Sequence, residues 1–205
     1  QWYDTSKTGG KFVRSKSQFE NQIINDENAE FKPESNRYHL YISHACPWAH
    51  RALIFRKLKK LEEHISISVV HPLMLDKGWT FQEGEDVIPD SILGSKYMHQ
   101  IYTTAQKDYT GRVTVPVLWD KKKKTIVNNE SSQIIRIFNS AFNNLTGNDD
   151  DYYPENIRDQ IDKINDDIYH NINNGVYKTG FATTKEAYEE TFDALFKSLD
   201  NIERI

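Results

Sequence analysis

The stretch His44-Ala45-Cys46-Pro47-Trp48-Ala49-His50-Arg51 holds the only cysteine of the 205-residue chain. Pro47 suits a first helical position, because its missing N–H would be unpaired there in any case. Cys46 then caps a helix N-terminus, where unpaired backbone N–H groups and the helix dipole stabilise a thiolate. The thiolate is the nucleophilic form of cysteine, so the position points to thiol chemistry. A lone cysteine can equally be a small core hydrophobe; the strand–Cys-Pro–helix context favours the reactive reading. A redox Cys-x-x-Cys pair is excluded, since position 49 is alanine. With no second thiol in the chain, a mixed disulfide on Cys46 needs an external thiol to resolve it.

The elements that must position this thiol are legible on both sides. Residues 37–43 are aromatic and β-branched enough for a strand. Residues 47–61 carry apolar side chains at helical spacing, and residues 64–70 read as a second strand. Strand, helix, strand at this spacing is a βαβ unit with a parallel pair. Residues 72–110 show little periodicity, and a connection that long inside a compact domain tends to be functional. Val113 to Asp120 and Thr125 to Asn128 flank Lys121 to Lys124, which reads as a β-hairpin with a lysine turn. Pro116 lacks an N–H and belongs at a strand start or edge, where a cis bond fits. Asn128 to Ser132 then opens an amphipathic helix. This is the thioredoxin-like α/β plan.

Beyond residues 143–153, which read as a linker, the pattern changes class. Ile157, Ile161, Ile164, Ile168 and Ile172 mark one helix face. Gly175 and Gly180 bound an expected loop, Thr183 to Glu186 an expected capping box, and Tyr188 to Ile202 a last helix. Residues 1–36, with anchors at Trp2, Phe12, Phe19 and Phe31, read as an extended N-terminal arm. The expected organisation is an arm (1–36), a thioredoxin-like domain (37–142), a linker (143–153) and helices (154–205).

Composition narrows the function classes. A net charge of −4 gives no global basic footprint for nucleic acid. The four consecutive lysines fit a solvated turn that protects a sheet edge. One cysteine fits a reducing compartment and excludes an internal disulfide. No apolar run approaches the ~20 residues of a membrane span, and no metal-ligand spacing is present. The absence of an initial Met and the end inside a helical pattern suggest a fragment.

Cys46-Pro47-Trp48-Ala49 resembles the active-site signature of the Xi-class glutathione transferases, the glutathionyl-hydroquinone reductases. Further segments match in order: Gly78-Trp79, Gly111 to Asp120, Ile126 to Ser131, and Asn173 to Ala182. The fungal members, called omega-like, are the nearest relatives that the resemblance suggests. It implies a thioredoxin-like glutathione-binding domain followed by a helical domain, here truncated, because the family's later helices are absent. It also implies Cys46 as the catalytic thiol and Trp79, Arg112, Val115, Glu130 and Ser131 as residues that hold glutathione as co-substrate, with no metal. The residue types agree with that ligand's two carboxylates and one ammonium: Ser131 at a helix N-terminus for the γ-glutamyl carboxylate, Glu130 for the ammonium, Arg112 for the glycyl carboxylate, and the Val115 backbone for the cysteinyl amide. Taken singly, Glu130-Ser131 is an ordinary helix start and Arg112 a solvated turn; only the set is informative.

The resemblance further places Tyr169 in the quinone pocket, although a helical tyrosine also packs well in any core. His44, His50 and His71 read as solvated or core residues and not as bases. The implied function is removal of glutathione from glutathionyl-hydroquinones, in a cytoplasmic homodimer, without nucleic acid or membrane partners. A glutaredoxin-like thiol transferase or dehydroascorbate reductase would use the same thiol. A non-catalytic binding protein could share the fold.

Overall fold

Strand β1 (Tyr38–Ile42) is buried along its whole length, which is why its sequence shows no polar alternation. The computed structural model that contains it describes residues 3–205, so the expected anchor Trp2 lies outside the described residues. The chain divides into two units. One is Ser17–Tyr152; the other joins the residues up to Lys16 with Tyr153–Ile205.

In the first unit, β1 leads into α1 (Pro47–Leu58), β2 (Ile65–Val69), α2 (Met98–Ala105), the hairpin β3 (Val117–Asp120) and β4 (Thr125–Asn128), and then α3 (Ser131–Ser140) and α4 (Asn143–Thr146). The sheet order is β2-β1-β3-β4. β1 and β2 are parallel, as the βαβ reading requires, and β3 is antiparallel to both β1 and β4. Tyr38, Leu40, Tyr41, Trp119, Phe138 and Phe142 fill the core around it. The unit is a thioredoxin-like domain.

Three local features differ from the sequence expectation. Helix α2 forms inside the aperiodic stretch, with the Gln100 side-chain oxygen accepting the N–H groups of Lys96 (2.8 Å) and Tyr97 (2.9 Å) at its start. Residues 143–152 are tied to the sheet unit: Asn148 Nδ2 donates to Leu58 O (3.1 Å), and Tyr152 N donates to Asn139 Oδ1 (2.8 Å). Part of the expected arm, residues 17–36, also belongs to this unit. Asn21 N donates to Val127 O and Asn129 N to Phe19 O, both at 3.0 Å, so this segment runs along β4, the outer strand. The lysine turn is neutralised locally, because Lys122 and Lys123 pair with Glu34 and Glu30. Buried Asp120 accepts the N–H groups of the same two lysines (2.8 and 3.2 Å) and holds Arg37.

The second unit is helical: α5 (Arg158–Asp167), a π-helical segment Ile168–Asn173, α6 (Gly175–Gly180) and α7 (Lys185–Ile202). The wide turn breaks what reads as one helix from Ile157 to Ile172, and Asn174 N donates to Tyr169 O (3.0 Å) across five residues. The expected loop between Gly175 and Gly180 is helix α6. Gly175 allows that helix to sit on α7, since a Cβ there would lie 3.3 Å from Leu195 Cδ1. The cap of α7 falls one residue later than expected: Thr184 Oγ1 accepts Ala187 N (3.3 Å), so Glu186 is not its reciprocal partner. Residues 3–16 pack on these helices through Phe12 against Tyr3, Tyr177 and Phe181. Gly10, at φ +82°, passes so close to Thr184 that a Cβ would lie 2.6 Å from its methyl group. Among the described residues no helix is long and apolar enough to cross a membrane.

Candidate functional site

Strand directions bring Cys46, Val115, Glu130 and Ser131 to one end of the sheet. Tyr41 pairs with Val117 and Leu118 with Asn128. The end of β1, the start of β3 and the end of β4 therefore lie side by side. Cys46 follows β1, Val115 precedes β3, and Glu130-Ser131 follows β4.

Cys46 is the N-cap of α1 in extended conformation (φ −106°, ψ 111°), with Pro47 as the first helical residue and no side-chain cap bond. The helix begins with His50 N donating to Cys46 O (3.0 Å). The half-buried thiol faces the Val115 carbonyl oxygen at 3.4 Å. The Val115–Pro116 peptide bond is cis.

The second helix N-terminus, that of α3, is built differently. Glu130 is its N-cap, and Oε1 accepts both the N–H (3.2 Å) and the hydroxyl (3.1 Å) of Ser132. Oε2 accepts the hydroxyl of Ser17 (3.1 Å). Ser131 is 3% exposed, and its Oγ accepts Arg51 Nε–H at 3.0 Å. The same guanidinium lies 3.7 Å from Glu130 Oε1 and over the Trp48 ring. The structure thus joins the Glu130-Ser131 pair to Arg51 on α1, which the sequence reading passed over because an arginine in an amphipathic helix looks like a solvated face.

A second overlooked residue holds the two sides of this end together. The Tyr102 hydroxyl, on α2, donates to Thr114 O (2.9 Å) and accepts Thr114 N–H (3.2 Å) and Asn129 Nδ2 (3.1 Å). One donor and two acceptors are all that a hydroxyl can use. Thr114 and Asn129 are the neighbours of Val115 and Glu130, so Tyr102 sets their spacing. Burial pushes the Tyr102 pKa up, which keeps the hydroxyl protonated.

Trp79 is half-buried against the core, and its carbonyl accepts Met98 N–H (2.9 Å). The connection that carries it is pinned by Asp90, which accepts the Tyr41 hydroxyl (3.0 Å) and the N–H groups of Ile92, Leu93 and Ser95. Burial alone would raise the Asp90 pKa, but those backbone donors outweigh it and hold the group below the usual value. Arg112 is exposed beside Tyr109, whose hydroxyl donates to Arg112 O (2.7 Å).

Tyr169 belongs to the helical unit, in the π-helical segment. His44 and His50 are exposed, and His71 Nδ1 accepts Leu73 N–H (3.1 Å). A histidine outside the candidate set is the buried one. His39 on β1 bridges Ser66 and Ser68 of β2 (2.7 and 2.9 Å), and burial lowers its pKa from 6.5 to about 4. Among the described residues no group of three or more His, Cys, Asp or Glu side chains could hold a metal.

Residues 45–141 match the family described as "Glutathione S-transferase, N-terminal domain". Glutathionyl-hydroquinone reductase PcpF of Sphingobium chlorophenolicum is 56% identical, covering 98% of this chain and 63% of that protein. Glutathionyl-hydroquinone reductase YqjG of Escherichia coli is 52% identical, covering 100% of the chain and 64% of that protein. Glutathione S-transferase omega-like 2 of Saccharomyces cerevisiae is 38% identical over all of this chain and 67% of that protein. The chain belongs to the omega-like, Xi-class glutathione transferases. A solved Xi transferase from Phanerochaete chrysosporium superposes with a TM-score of 0.91 at 49% identity, covering 94% of this chain and 66% of that one. The glutathione-bound structure of YqjG gives 0.87 at 50% identity, covering 91% and 63%. This transferase chain thus spans a little under two thirds of the length of PcpF and YqjG.

Proposed function

We propose that this chain carries the glutathione site and the nucleophile of a glutathionyl-hydroquinone reductase. The observation that carries the reading is Cys46 at the N-cap of α1, its thiol facing the Val115 carbonyl. The names of PcpF and YqjG, and the glutathione held in a YqjG structure, support it.

In the proposed reaction the Cys46 thiolate attacks the sulfur of a glutathionyl-hydroquinone. An S–S bond forms and the carbon–sulfur bond breaks. Its electron pair stays on the ring carbon, which takes a proton and leaves as hydroquinone. A second glutathione, as thiolate, attacks the Cys46–glutathione disulfide and releases glutathione disulfide and the Cys46 thiolate. Ser131 and the N-terminus of α3 receive the γ-glutamyl carboxylate, Glu130 the ammonium, Arg112 the glycyl carboxylate beside Trp79, and the Val115 backbone the cysteinyl amide. Tyr169 donates to a ring hydroxyl of the acceptor. The same thiol could reduce small mixed disulfides or dehydroascorbate. The reading extends to a cytoplasmic homodimer without a metal cofactor. A fungal source is supported by the yeast omega-like relative and opposed by the bacterial ones.

The test compares two substrates on the full-length protein. Tyr169→Phe is expected to slow hydroquinone release about ten- to a hundredfold, the size of one hydrogen bond in a partly desolvated pocket. Reduction of a small glutathione mixed disulfide, which has no ring hydroxyl, is expected to be nearly unchanged. Equal slowing of both would remove Tyr169 from the acceptor pocket. A lack of turnover with any glutathionyl-hydroquinone, while small mixed disulfides are reduced, would select the thiol-transferase reading.

A further inference from the structure

The joint between α1 and α3 contains an arginine that the reaction scheme does not use. Arg51 Nε donates to Ser131 Oγ at 3.0 Å, and its NH2 nitrogen lies 3.7 Å from Glu130 Oε1. Its side chain is largely covered, at 29% exposure, and stacks over Trp48 at 5.1 Å. This geometry restricts Ser131. A serine hydroxyl has one hydrogen to give and two lone pairs to receive with. The guanidinium has donors only, so the Arg51 contact occupies a lone pair and turns the hydroxyl hydrogen away from Arg51. Ser131 stands at the first position of α3, where its own backbone N–H has no partner within the helix, while the N–H groups of Ser132, Gln133 and Ile134 are taken by Glu130. The Ser131 hydroxyl and N–H are thus the two donors left there, and the positive guanidinium beside Glu130 offsets the carboxylate charge that would repel an incoming anion.

We infer that Arg51 is a positioning residue for the γ-glutamyl α-carboxylate: it holds the Ser131 hydroxyl as a donor to that carboxylate and shields the carboxylate from Glu130. The inference rests on the glutathione reading above and deepens it. It predicts discrimination at one end of the peptide. Glutathione has the α-carboxylate; γ-aminobutyryl-cysteinyl-glycine lacks only that group.

Calorimetry with both peptides under reducing conditions tests it. Arg51→Gln is expected to weaken glutathione binding about tenfold, the worth of one oriented charge-assisted contact. It is expected to leave the decarboxylated peptide within about twofold. Ser131→Ala is expected to give a similar loss, and the double variant about tenfold and not a hundredfold, because the two residues act as one unit. Arg51→Lys keeps the charge beside Glu130 without the planar Nε–H, so the same carboxylate-specific loss is expected if Arg51→Gln does not fold. Equal weakening of both peptides would make Arg51 a structural residue and overturn the inference. So would additive losses with Ser131→Ala, or no loss at all. If the unsubstituted chain binds neither peptide, the glutathione reading itself falls and this inference with it.

Discussion

Two helix N-termini meet at the same end of the sheet, and they are finished in opposite ways. At α3 the cap side chain closes the helix: Glu130 accepts from Ser132 and Ser17, and Arg51 lies beside it. At α1 the cap residue gives the helix no side-chain hydrogen bond, and its sulfur turns to the Val115 carbonyl. A terminus capped by its side chain gains stability; an uncapped one keeps its dipole for a charge that is present only when the thiol ionises. On the proposed reading α3 holds the substrate and α1 carries the chemistry.

The sharpest way to break that division is Cys46→Ser in the full-length protein. Turnover of every thiol-dependent substrate should fall by more than about a thousandfold, because no second thiol can substitute. Glutathione binding should persist. Residual turnover near the original rate would move the chemistry elsewhere.

Acid is expected to act on the side that carries α1. His39, on β1, bridges Ser66 and Ser68 of β2, with Asp90, Lys121 and Arg56 acting on it electrostatically. Burial holds its folded pKa near 4, against 6.5 for the ordinary side chain. The unfolded chain therefore binds the proton first as pH falls. The stabilisation is complete above pH 6.5 and is lost progressively down to about pH 4, by up to about 3 kcal/mol. Asp90, whose pKa is lowered, contributes its own loss only below 3.8. Denaturant melts from pH 7 to pH 4 on the original chain and on His39→Gln would show the difference: the variant should lose the slope in that window.

Binding tests the α3 side. Glu130→Gln keeps the size of the cap but removes the charge, and glutathione affinity should fall by about 1.5–3 kcal/mol, the range of a charge-assisted hydrogen bond. Unchanged calorimetric affinity would mean that the ammonium is held elsewhere.

The smallest effects compare the caps directly. Serine is a preferred N-cap, so Cys46→Ser should raise thermal stability, by about 0.5–1 kcal/mol. Glu130→Ala removes an existing cap and should lower it by about 1 kcal/mol. Shifts of the same sign would show that the two termini are not finished differently after all.

Much of this was legible in the sequence. Cys46-Pro47 marks a helix start through proline chemistry alone, and β1, β2 and the lysine hairpin announce themselves by composition. Helix α2 was not legible, because eight residues give too little periodicity and its cap comes from a glutamine reaching backwards. Helix α6 was hidden because Gly175 serves close packing against Leu195, and Gly180 ends the helix, so the two do not bound a loop. Among the site residues, Cys46, Glu130 and Ser131 stand at element boundaries, where residue type carries a signal. Arg51 and Tyr102 act across elements distant in sequence, and nothing in their local pattern distinguishes them from an ordinary surface cation and a core aromatic.

The segment around Phe19 to Asn21, hydrogen-bonded along β4, has a consequence for how copies of this chain behave in concentrated solution. An outer strand with open N–H and C=O groups is a template for another molecule's strand. Here the chain supplies its own short cover: Asn21 and Asn129 make backbone bonds there, and Asn128 Nδ2 donates to Asn21 O. The lysines of the adjoining turn add charge at the same margin. Residues remote from the thiol thus keep the sheet from growing at its β4 edge. A chain cut back to the first strand would keep the cysteine and expose an edge prone to self-association.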